Sequence, residues 1–171
     1  NTNLMTTYLR DAEILPLEQP YSESPYNYNA SGNVTNIDDI LINMVDWVLV
    51  ELRDATDNNL LIAQKVGFVI NTGFILSYDE NTNLIFGMDF ENIACNRSYY
   101  VAVRHRNHLD IMSKEAILFP NETIIDLTQT DNVADGITQL ANLGNDIFAM
   151  KMGDFDGNGT INDSDFETYY N

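Results

Sequence analysis

Met44-Val45-Asp46-Trp47-Val48-Leu49-Val50-Glu51-Leu52-Arg53 is almost continuously apolar and β-branched, and only a strand covered on both faces uses such a run without waste. Similar runs follow at 60–70, 74–78, 84–88, 98–106, 111–118 and 123–127. They are separated by the turn signals Asp57-Asn58-Asn59, Asn71-Thr72-Gly73, Asp79-Glu80-Asn81 and Pro120-Asn121. Short strands at this spacing predict a mainly β protein. The expected architecture over residues 31–130 is an antiparallel two-sheet sandwich, Ig-like or jelly-roll-like.

The flanks follow other rules. Residues 1–30 are expected to form an extended arm and a loop. Leu4 to Leu9 can run as a strand, while Pro16, Pro20 and Pro25, interleaved with Tyr21, Tyr26 and Tyr28, forbid a regular element. Those three tyrosines, if exposed, could stack on sugars. Residues 131–171 are expected to begin with a short helix, because Val133, Ile137, Leu140 and Leu143 recur at helical spacing and Gly144 can stop them.

Charge narrows the partners. Against 26 Asp and Glu stand 8 Lys and Arg, for a formal charge of -18. Nucleic acid needs a basic stripe that displaces counterions, so it is excluded as a partner. No apolar run approaches the roughly 20 residues of a membrane span. A single cysteine, Cys95, rules out an internal disulfide and is expected to be a small buried hydrophobe. A start at Asn1 without a charged and apolar leader reads as a processed end. Asn-x-Ser/Thr triplets at Asn29, Asn33, Asn96, Asn121, Asn158 and Asn162 are candidate glycan acceptors.

The sharpest chemistry lies near the C-terminus. From Asp154 to Asp165, oxygen-bearing side chains fall at loop positions one (Asp154), three (Asp156), five (Asn158), nine (Asn162) and twelve (Asp165). Gly159 stands at six, Thr160 at seven for its carbonyl, and Ile161 at eight. A hard cation takes six or more oxygens at roughly 2.3–2.6 Å, and alternate residues of a tight loop can supply them. The expected ion is Ca2+.

Aspartate rather than glutamate at position twelve makes this segment resemble one half of a type I dockerin. Upstream, Val45 to Arg53, Arg104-His105-Arg106-Asn107-His108-Leu109 and Leu15 to Tyr21 resemble a module of secreted and cell-surface proteins of Bacteroidota-type bacteria, in which dockerin-like loops commonly follow. The resemblance implies calcium and an extracellular or cell-surface location in a bacterium. It brings no catalytic activity.

No nucleophile elbow, phosphate loop or dinucleotide fingerprint occurs, so no enzyme is expected. His105 and His108, three apart on one strand, should face opposite ways and serve structure, while Arg104 and Arg106 should pair with carboxylates such as Glu51 or Asp46. Trp47 should be core. Two functions follow. The first is a noncatalytic structural subunit that assembles with its own copies into a fibre or surface layer, donating Asn3, Leu4, Met5, Thr6, Thr7, Tyr8 and Leu9 as an added strand. The alternative is a carbohydrate-binding or adhesion module, with Tyr21, Tyr26 and Tyr28 as its platform.

Overall fold

The computed structural model describes residues 4–30, 33–34, 42–79 and 83–170. The protein is mainly β: nine strands, two short helices and two 3-10 turns among the described residues. The strands are β1 (Met44–Asp54), β2 (Leu61–Ile70), β3 (Ile75–Asp79), β4 (Asn83–Phe86), β5 (Arg97–His105), β6 (His108–Met112), β7 (Ile117–Phe119), β8 (Leu140–Gly144) and β9 (Ile147–Met150). The helices are α1 (Tyr8–Asp11) and α2 (Asp163–Tyr170). One seven-stranded sheet has the order β4-β3-β2-β1-β5-β6, with β7 also on β5, and β8 and β9 form a separate hairpin. The ladders β2·β3, β3·β4, β5·β6, β5·β7 and β8·β9 are all antiparallel.

The chain divides into two compact units, with boundaries that fall inside β1 and inside β2. The first comprises residues 1–49 and 65–90. Its core joins Leu15, Tyr21, Tyr26, Tyr28 and Val34 of the N-terminal loop to Met44, Trp47 and Leu49 of β1, with Val66, Phe68, Ile70 and Leu76. Trp47 is wholly buried, its ring 3.8 Å from that of Phe68. Its indole N–H donates to the Pro16 carbonyl at 2.7 Å, and the Tyr21 hydroxyl donates to the Trp47 carbonyl at 2.8 Å. Buried polar tips thus find partners, as a low-dielectric core requires. Gly67 permits close pairing of β2 with β3, since a Cβ there would stand 2.5 Å from the Leu76 carbonyl oxygen.

The second unit comprises residues 50–64 and 91–171. Glu51, buried in β1, accepts from Arg53, from Gln64 at 3.1 Å and from Arg104 at 3.4 Å, as expected for Arg104. Asp54 holds Arg97 and caps the Thr56 N–H at 2.8 Å. Hydrogen bonds from the Thr56 side chain and backbone, then from Asp57, with the Arg97 charge, lower its carboxyl to about 2.

Several expectations need correction. Residues 4–9 form no strand: Met5 N–H donates to the Asn71 carbonyl at 2.9 Å, and Tyr8 and Leu9 open α1. Asn3 lies outside the described residues, as do Glu80 and Asn81 of the turn placed at 79–81. The run 111–118 is split into β6 and β7, where the Ser113 hydroxyl donates to the Glu115 carbonyl. The run 123–127 is no strand, because Asn121 and Asp126 fold it into side-chain-capped turns on Thr123 and Thr128. The helix expected from Val133 is instead a 3-10 turn at Gly136–Thr138 followed by the β8–β9 hairpin. Only Val133 and Leu140 of its apolar set are buried, and Gly144, Asn145 and Asp146, all at positive φ, make a hairpin turn. Cys95 is exposed, not core.

Candidate metal centre

The β8–β9 hairpin delivers the chain to the Asp154 loop, and Gly153 anchors the loop's start. The Gly153 N–H donates to the Asn107 carbonyl at 2.9 Å. At φ 130, with the Ile161 side chain 3.1 Å from where a Cβ would stand, position 153 accepts only glycine without strain. The loop then closes on α2, which begins at Asp163 and carries Asp165 in its first turn.

One carboxylate oxygen each from Asp154, Asp156 and Asp165 lies within 4.8 Å of the others, with Asp154 and Asp165 buried and Asp156 half-buried. These three are the only group of three or more His, Cys, Asp or Glu side chains among the described residues that could hold a metal ion. Backbone N–H groups orient them. Asp154 accepts from Asn158 and Gly159, both at 3.0 Å. Asp165 accepts from Phe155 at 2.7 Å, Asp156 at 3.2 Å and Asn162 at 2.8 Å, tying both ends of the loop to one carboxylate. Asp156 accepts from the Ser164 hydroxyl at 2.8 Å and the Asn158 amide at 2.7 Å.

The other sequence-chosen ligands shape the turn. Asn158 Oδ1 accepts from the Thr160 N–H at 2.9 Å and also from its hydroxyl, and Asn162 Oδ1 accepts from the Ser164 N–H at 2.8 Å. All three of Asn158, Thr160 and Asn162 are exposed. Gly159, at φ 85, makes the reversal expected of the sixth position.

The electrostatics separate the two buried carboxyls. Desolvation, reinforced by the charges of Asp165 and Asp156, raises Asp154 despite its two N–H bonds. Asp165 is lowered, chiefly by the Asn162 N–H and further by those of Asp156 and Phe155, which outweigh desolvation. Three carboxylates this close repel one another, and a cation among them would reverse that sign.

Tyr21, Tyr26 and Tyr28 are not a surface. Tyr21 is fully buried and meets Tyr26 edge-on at 5.0 Å, and Tyr28 is 7% exposed, so none presents a face to a sugar. Burial raises the Tyr28 hydroxyl. Sequence reasoning also misjudged the histidines: β5 turns into β6 through Arg106 and Asn107, which brings His105 opposite His108 with their rings 4.5 Å apart. The two-residue spacing between them was the available signal.

Fold and site together define a mainly β protein with an oxygen-lined, metal-capable loop near its C-terminus. No protein-family model, curated protein or solved structure matches the chain, so function rests on this geometry.

Proposed function

We propose that the chain is a noncatalytic, calcium-stabilised structural module of the bacterial cell exterior that associates with its own copies into a fibre or surface layer. The observation carrying the metal reading is the convergence of Asp154, Asp156 and Asp165 in one twelve-residue loop. An all-oxygen donor set with no thiolate or imidazole suits a hard cation. Three carboxylates supplied by one loop favour calcium over magnesium, which holds its waters and takes fewer protein ligands. Asp154, Asp156 and Asp165 would hold the ion; the Thr160 carbonyl and the Asn162 amide oxygen would add to the shell, and Asn158 Oδ1 would join by giving up one of its two bonds from Thr160.

The ion would offset part of the charge of -18 and fix a C-terminal segment whose Ile161 and Phe166 are 49% and 67% exposed. Such a segment buries too little apolar area to order itself well. For assembly, the candidate strand donor is no longer residues 3–9. Among the described residues the sheet instead ends at β4, whose last residue, Phe86, is 78% exposed, and a sheet edge of this kind pairs readily with another chain. Nothing favours the carbohydrate reading, because its tyrosine platform lies in the core.

Negative-stain microscopy and light scattering of the protein with calcium and with excess EGTA test both parts. Calcium-dependent filaments or large oligomers support the proposal. A monomer at every concentration refutes the assembly, and identical melting in calcium and EGTA refutes the metal.

Among the described residues, no helix is long and apolar enough to cross a membrane.

A further inference from the structure

The β5–β6 hairpin carries a second constellation that the calcium loop does not use. His105 Nδ1 and His108 Nδ1 stand 2.9 Å apart, with the rings at 85° to each other. The register places these residues directly opposite, so both side chains project from one face of the hairpin. Asn107 N–H donates to His105 Nδ1 at 3.2 Å, which assigns that nitrogen a lone pair rather than a proton. The hairpin is held from the other side as well: Leu109 N–H donates to the Lys151 carbonyl at 2.8 Å and Asn107 accepts from Gly153. Two imidazole nitrogens are thus converged on a hairpin whose backbone is held at Asn107 and Leu109.

We propose that His105 and His108 chelate a borderline divalent transition ion through their Nδ1 atoms, at a site separate from the carboxylate loop. Two nitrogens each about 2.0–2.1 Å from one ion lie about 2.9 Å apart at a right angle and about 3.3 Å apart at a tetrahedral angle. The observed separation therefore matches cis positions of a tetragonal ion, whose entry takes the His105 Nδ1 lone pair from the Asn107 N–H. Imidazole pairs in that geometry favour copper(II), which also stands highest in affinity among the divalent first-row ions. Entry of the ion displaces the single proton that fits between the two nitrogens, and that proton leaves to solvent. Water fills the remaining coordination positions, since no third His, Cys, Asp or Glu ligand clusters there among the described residues. His105 is nearly buried and His108 half-buried, so the ion approaches from the His108 side.

The test is a copper(II) titration of the full chain with calcium in excess, followed by electron paramagnetic resonance. The expected first equivalent shows two equatorial imidazole nitrogens. His108→Gln, at the more exposed position, should weaken binding by at least about tenfold and leave one nitrogen, with far-ultraviolet dichroism unchanged. Two results overturn the proposal: a first equivalent bound by oxygen alone or one nitrogen in the unsubstituted protein, or undiminished affinity in His108→Gln. Neither result bears on the calcium loop, whose failure is read from melting in EGTA.

Discussion

Replacing Asp154 with alanine separates what its carboxylate does for the loop from what it does for a metal. In the structure it accepts two backbone N–H bonds at 3.0 Å. Asn158 and Gly159 are exposed, so their freed N–H groups recover water. Only the net value of each bond is lost, about 1 kcal/mol, and relief of repulsion with Asp156 and Asp165 reduces the sum. Without calcium, Asp154→Ala should therefore cost at most about 2 kcal/mol. At free calcium about 100 times its Kd, the unsubstituted protein gains about 2.7 kcal/mol and the variant gains nothing. For a chain of this size each kcal/mol moves Tm by about 2–4 °C. Calorimetric melts should show calcium raising the unsubstituted protein by roughly 5–11 °C, and the variant by none. A variant that keeps the full calcium response would refute the assignment of Asp154 as a ligand.

Acid titration distinguishes two carboxyls of opposite behaviour. Asp54, held near 2, favours folding above its ordinary value near 4 and loses that contribution as pH falls toward 2, so the stability gap between Asp54→Asn and the parent should close over that window in denaturant titrations. Asp110 is raised to about 6 by desolvation, against the attraction of Arg104, whose Nε donates to it at 2.5 Å. Its ionisation opposes folding increasingly as pH climbs from about 4 through 6, so Asp110→Asn should gain on the parent across that range. An Asp110→Asn variant that tracks the parent at every pH would contradict this. Tyr21→Phe, which removes the buried hydroxyl bond to the Trp47 carbonyl, should cost roughly 1–3 kcal/mol, while Trp47→Ala should cost roughly 3–5 kcal/mol; both are read from denaturant midpoints.

The central strand was legible because Met44 to Arg53 leaves no polar face to solvent, and β1 is buried at nine of its eleven positions. Its neighbours were legible for a related reason, that Asn and Gly turn signals bracket apolar runs. The tyrosines were not, since a proline-rich loop looks solvated until the sheet face it covers is known. The loop's rings shield Trp47 and Phe68, a tertiary fact absent from residues 16–28 alone. The helical spacing of Val133, Ile137, Leu140 and Leu143 misled because a period says nothing about φ. Gly136 at φ 54 and the 144–146 turn interrupt it, and Ile137 and Leu143 are exposed. The Asp154 loop was legible because its constraint is local: glycine at the reversal and carboxylates at alternate positions place their oxygens together without help from distant residues.

The most direct test is a long-wavelength anomalous map from crystals grown in calcium chloride. It should show one peak enclosed by Asp154, Asp156 and Asp165, with oxygens at roughly 2.3–2.6 Å. A well-ordered loop with no peak there would contradict the account.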